Sequence, residues 1–178
     1  MLLESAGLKP IVESADIDER HHDGEPPIEY AERMAREKAH RAAQAHYGED
    51  VFVIAADTIV VHNGRILGKP ADSADAFRML KSLCADAHTV MTGVCVIDVK
   101  RQCTRAFVGQ THVHFSDVSE SRLRAYIATG EPMDKAGAYG IQGGAAAFVS
   151  HIEGSYTNVV GLPLCESVHA LDNLGFMV

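Results

Sequence analysis

Between Val51 and Leu67 the chain runs apolar, turns and returns apolar, a pattern that a sheet accommodates and a helix does not. Val51 to Ala56 is a short continuous apolar run, as expected of a strand buried on both faces, and it ends on Asp57-Thr58. Ile59-Val60-Val61 continues extended, Asn63-Gly64 is a strong hairpin signal, and Arg65-Ile66-Leu67 returns. Further strands are predicted at Pro10 to Ser14, His88 to Val99, Thr104 to Phe115, Ala145 to Ile152 and Tyr156 to Val160. Helical spacing governs Glu29 to about His46, with Ala31, Met34, Ala35, Lys38 and Ala42 on one stripe, and again Ser73 to Leu83. Ser119 is placed to cap a helix that Gly130 closes, and Pro163 opens a last helix to about Leu174. Helices interleaved with strands and hairpins predict an α/β fold, a mixed twisted sheet with flanking helices. At 178 residues the size prior gives one domain, 1–178, with a real core.

Apolar residues make up 47% of the chain and charged residues 22%, so an ordinary globular domain is expected. A net charge of −8 argues against a general nucleic-acid binder, which needs a basic face. No apolar run is long enough to cross a membrane, and the N-terminus lacks the pattern of a signal peptide. Cys84, Cys95, Cys103 and Cys165 show no CxxC spacing and no paired His ligands, which argues against a zinc site; most sit inside apolar runs and read as small core residues, and a reducing cytoplasm fits.

Three nucleotide and hydrolase motifs fail on inspection. Gly64 to Pro70 resembles a Walker A loop, but has three residues between its glycines where four are required, and Pro70 stands where Ser or Thr would meet Mg²⁺. Ser121 and Ser155 lie in no nucleophile elbow, and no GxGxxG follows a strand. What remains is three carboxylates, Glu19, Asp57 and Asp134, and three lysines, Lys38, Lys69 and Lys135, at element boundaries or on inward faces. Lys38 lies on the apolar stripe of its helix, where a lysine either snorkels to water or points into a cleft and meets an anion. Lys135 and Asp134 belong to Glu131 to Gly143, a stretch without periodicity whose glycines let a backbone bend sharply and approach a ligand. Together the six charges suit phosphoryl or nucleotidyl chemistry. Carboxylates hold Mg²⁺ and orient water, while lysines neutralise phosphate oxygens.

Ala55-Ala56-Asp57-Thr58, Gly68-Lys69-Pro70, His88-Thr89-Val90-Met91-Thr92-Gly93-Val94, the loop Glu131 to Gly143 and Val159-Val160-Gly161-Leu162-Pro163-Leu164 together resemble the Maf family. These are nucleoside triphosphate pyrophosphatases related in fold to the inosine triphosphatases. The resemblance covers nearly the whole chain in the right order. It implies hydrolysis of a nucleoside triphosphate to the monophosphate and pyrophosphate with a divalent cation, Mg²⁺ or Mn²⁺. It further implies that Asp57 is the proton acceptor and, with Glu19, a metal carboxylate. Glu19 also serves the phosphate site, with Lys38, Lys69 and Lys135 as its phosphate-facing lysines. Thr58 and Gln142 match positions tied to base selection, and the Asp134 to Gly143 form resembles the branch acting on dTTP and UTP. An amide at Gln142 is apt, since it both donates to and accepts from a pyrimidine's O4/N3 edge. A homodimer would be typical of the family.

The start of the chain departs from the pattern. The family normally carries a strand and a Ser-Pro-Arg-Arg turn ahead of the Leu-Leu that stands here as Leu2-Leu3. The expectation is a true start upstream of Met1, with the 178-residue chain short of two phosphate-binding cations. A second function is therefore carried beside the enzyme. It is a catalytically weak nucleotide-binding regulator linked to septum formation, and pyrophosphate release from dTTP separates the two.

Overall fold

Pro26 and Pro27 open the longest helix, where a missing N–H leaves no hydrogen bond unmade. The computed structural model describes residues 2–176, so the expectation that concerns Met1 lies outside the described residues. Helix α1 (Leu2–Ser5) comes first, and residues 8–26 contain neither helix nor strand. The strand expected at Pro10 to Ser14 does not form. Ile11 and Val12 are 89% and 72% exposed, so strand propensity there finds no packed surface to fit. Helix α2 (Pro27–Ala45) then buries Ala31, Met34, Ala35 and Ala39 on one stripe, as the periodicity predicts.

Strand β1 (Phe52–His62) turns at Asn63-Gly64 into β2 (Arg65–Leu67), with Val60 opposite Leu67 and His62 opposite Arg65. Asn63 and Gly64 both take positive φ, 50° and 74°, as the tight hairpin turn requires. β1 runs unbroken through Asp57 and Thr58, so the acid expected at a strand end stands in mid-strand. The β-branched Thr58-Ile59-Val60-Val61 carries the extended backbone past it. Helix α3 (Ser73–Leu83) forms where expected, capped by Asp72, whose side chain accepts the Asp75 N–H at 2.8 Å.

Strands β3 (Ala87–Asp98) and β4 (Cys103–Phe115) follow, then helix α4 (Glu120–Ile127), and β5 (Val149–Glu153) pairs antiparallel with β4. Ser119 takes the N-cap position of α4 without a side-chain cap bond. The run Tyr156 to Val160 is helix α5 rather than a strand. Ser155 Oγ accepts the Asn158 N–H at 3.3 Å, and the buried Asn158 amide donates to Val90 O and Thr111 Oγ1, each at 3.1 Å. A capping serine and an inward amide override the β propensity of two valines. Helix α6 (Leu164–Asn173) ends the order. The sheet has five antiparallel strands in the order β2-β1-β3-β4-β5, flanked by helices, and the α/β class stands.

The chain divides into two compact units. The first comprises Met1–Asp57, Thr92–Gly109 and Gly161–Val178. In it, Cys95, Ile97 and Val99 pack with Ala35 and Ala39 of α2, while Val94 and Val96 pack with Ala170 and Leu171 of α6. The alternation along β3 thus presents one face to each helix. Gly93 lets β3 touch α2, since a Cβ there would sit 2.0 Å from the Ala31 carbonyl oxygen. The second unit, Thr58–Met91 with Gln110–Val160, is built round Leu80, Leu83, Val90, Leu123 and Phe148. Burying each such side chain contributes about 1.5–3 kcal/mol.

Candidate active site

In the first unit, α2 turns Lys38 inward. Its Nζ donates to Asp57 Oδ1 at 2.5 Å and lies 2.7 Å from Glu19 Oε1. Lys38 therefore does not snorkel to water. Burial pulls its pKa down, and the bonds to Asp57 and Glu19 outweigh that, leaving it above the ordinary lysine value. Three residues spread over 39 positions of sequence are brought to one ammonium.

Glu19 stands on a segment with no regular structure, yet its backbone is held. Tyr30 Oη donates to the Glu19 carbonyl at 2.8 Å, and Arg33 Nη2 donates to the Arg20 carbonyl at 3.0 Å. Arg33 is fixed in turn by Glu25, whose two oxygens it meets at 2.6 and 2.8 Å. That fork holds the Glu25 carboxyl down to about 2, against burial. Burial, then the charges of Asp57 and Glu19, push the Tyr30 phenol above its usual value. Sequence reasoning missed Tyr30, Arg33 and Glu25. Only the i,i+4 pairing of Arg33 with Glu37 is visible as a pattern, and it points to helix surface.

A hollow of about 660 Å³ along α2, lined among others by Glu32, Arg36 and Glu37, contains none of the predicted site residues. Its charges pair with one another, Arg36 to Glu32 at 2.7 Å and Arg33 to Glu37 at 3.2 Å, as on a solvated helix face.

The second unit holds a cavity of about 400 Å³, and Thr58, Lys69, Asp134, Lys135 and Gln142 all line it. Its apolar wall includes Val60, Val90, Tyr139 and Val159. The size suits a small ligand and the mixture of polar and apolar lining suits a base and phosphates. Lys135 Nζ donates to Asp134 Oδ1 at 2.7 Å, and this bond chiefly, with the charge of Lys69 adding, lowers the Asp134 pKa. Glu131 also lines the cavity, an acid inside the quoted loop to which the sequence assigned no role.

Glu19, Lys38 and Asp57 thus meet in one unit, and the other five predicted residues share a cavity in the other. Among the described residues no group of three or more His, Cys, Asp or Glu is placed to hold a metal. Two carboxylates drawn to one ammonium are nonetheless hard oxygen donors of the kind that bind Mg²⁺ together with substrate phosphates.

A family model described as Maf-like protein matches residues 1–174, and the chain belongs to the Maf family. It is 52% identical over 174 residues to a protein of Geotalea uraniireducens (strain Rf4) named dTTP/UTP pyrophosphatase, across 98% of this chain and 89% of that one. Proteins of the same name from Pelotomaculum thermopropionicum and Geobacillus sp. (strain WCH70) are 48% and 46% identical, covering 99% and 98% of this chain and 92% of each relative.

Proposed function

We propose that this chain is a nucleoside triphosphate pyrophosphatase that hydrolyses dTTP and UTP to the monophosphate and pyrophosphate. The observation that carries the reading is the Lys38 ammonium held between Asp57 and Glu19. It gives a carboxylate able to take a proton beside a cation able to meet phosphate oxygens. Water attacks the α-phosphorus and passes a proton to Asp57. The bond from that phosphorus to the α–β bridging oxygen breaks, and pyrophosphate leaves with the oxygen. Lys38, Lys69 and Lys135 offset phosphate charge, and Asp134 orients Lys135 through their 2.7 Å bond. Thr58 and Gln142 read the base, and the names of the relatives support a pyrimidine.

Mg²⁺ or Mn²⁺ fits Glu19 and Asp57 as protein donors, and when bound it would spread the charge of the phosphoryl oxygens. We read residues 1–178 as one catalytic domain, working in the cytoplasm as a homodimer. Free thiols at Cys84, Cys95, Cys103 and Cys165 support a reducing compartment, and sedimentation equilibrium tests the dimer. Pyrophosphate release from dTTP and UTP, set beside ITP and 7-methyl-GTP, tests the function. Selective release from the two pyrimidine nucleotides is expected, and binding of dTTP without turnover would overturn it.

A further inference from the structure

The glycines between residues 140 and 144 wrap a carboxylate of the protein itself. Glu131 Oε1 accepts the Tyr126 hydroxyl at 2.9 Å, and Oε2 accepts the Gly144 N–H at 3.0 Å. The Tyr126 oxygen in turn accepts the Gly140 N–H at 3.2 Å. A Cβ on Gly143 would lie 1.9 Å from Glu131 Oε1, and one on Gly140 would lie 3.4 Å from it. Gly143 N–H donates to the Gly140 carbonyl at 3.1 Å, closing a turn round Ile141-Gln142. Gln142 therefore stands between two anchored backbone amides, one tied to Glu131 directly and the other through Tyr126.

We propose that Glu131 is a positioning residue for Gln142, and through it sets the preference of the cavity for a pyrimidine base. This rests on the dTTP/UTP reading. Glu131 is partly buried and both of its oxygens are engaged by the loop. Its own chemistry is spent on the turn, and the exposed Gln142 amide is the group left to meet a base edge. Glu131→Gln keeps the side-chain volume and removes one acceptor, so one of the two anchors is lost. A Gln142 displaced with the turn loses its match to thymine or uracil, and the efficiency ratio of dTTP to ITP falls.

The test is a double-mutant cycle of Glu131→Gln and Gln142→Ala, read as kcat/KM on dTTP and ITP with melting temperature alongside. Glu131→Gln is expected to lower the dTTP:ITP ratio roughly tenfold, the size of one lost substrate hydrogen bond. In the Gln142→Ala background it should lower the ratio no further. Tyr126→Phe keeps the Glu131 charge but removes the Gly140 anchor, and should shift the ratio in the same direction even if Glu131→Gln folds poorly. Equal losses on dTTP and ITP, or additive losses in the cycle, would overturn the proposal. Calorimetric binding of dTMP and IMP to the same proteins gives a second reading of the cycle. A wild-type chain that fails to release pyrophosphate therefore sinks the functional reading and leaves this one tested.

Discussion

Asp57 has a neighbour on which a clean experiment can turn. Replacing it by Asn leaves Lys38 with Glu19 at 2.7 Å, so the partly buried ammonium keeps a charged partner and the fold should survive. An amide cannot take the proton of the attacking water, and turnover of dTTP should fall roughly 10²-fold or more. Pyrophosphate release measured beside the melting temperature checks it, and near wild-type turnover at unchanged melting would remove Asp57 from the role of base. Gln142→Glu makes a different cut. A carboxylate beside a pyrimidine edge leaves the O4 acceptor unmatched, so dTTP and UTP should lose more efficiency than other triphosphates, those with an amino group at that edge above all, and a flat loss across the panel would assign Gln142 to loop structure. Lys38 was legible because helical spacing put a lysine on an apolar stripe. Glu131 was not, because an acid in a glycine-rich loop reads as solvated until the backbone amides that close on it are seen.

Elements explain why the exposed Glu19 has a defined place. Residues 8–26 lack helix and strand, and α2 serves as the frame that holds them through Tyr30, Arg33 and, at its C-cap, His46, whose Nε2 lies 3.1 Å from Glu13 Oε2. Arg33 does this with a planar fork that meets Glu25 twice and the Arg20 carbonyl once. Lysine is a point charge and cannot reproduce that geometry. Arg33→Lys should therefore behave like Arg33→Gln, each lowering kcat/KM on dTTP on the order of tenfold. In a Glu19→Gln background the same changes should matter little, because the residue being positioned is already gone. Rescue by lysine, or full additivity with Glu19→Gln, would show that Arg33 serves the helix rather than the site. Boundaries of the long periodic elements, α2, α3, β3 and β4, could be read to within a residue or two. The short ones could not. Pro10 to Ser14 and Tyr156 to Val160 are five-residue segments that mix apolar and polar side chains, a length at which period 2 and period 3.6 are not separable, and a serine cap decided the second.

Across the whole molecule, local pattern conveyed the α/β alternation, while the groupings of side chains came from pairings distant in sequence, Lys38 with Asp57 nineteen residues on and His88 with Tyr139 fifty-one on. His88 makes the last of these a statement about global stability. It is 2% exposed, packs edge-on against Phe115 and Tyr139, and its Nε2 lies 2.7 Å from the Tyr139 hydroxyl, while Nδ1 has no hydrogen-bond partner among the described residues. Burial first, and then the charges of His62 and His114 against the opposing pull of Asp86, lower its pKa from 6.5 to about 4. Between those values the unfolded chain binds a proton that the folded chain refuses, so stability rises with pH through the window and is fully present above about 6.5. It is lost as pH falls toward about 4, and at roughly 1.4 kcal/mol per pH unit the loss from this residue reaches about 3 kcal/mol. His88→Gln lacks the titrating ring and should flatten the fall over that range, although it is less stable at pH 7. Urea midpoints from pH 4 to 8 on the two proteins measure it. Parallel curves would mean that His88 stays protonated in the fold or that other carboxylates and histidines govern the acid limb.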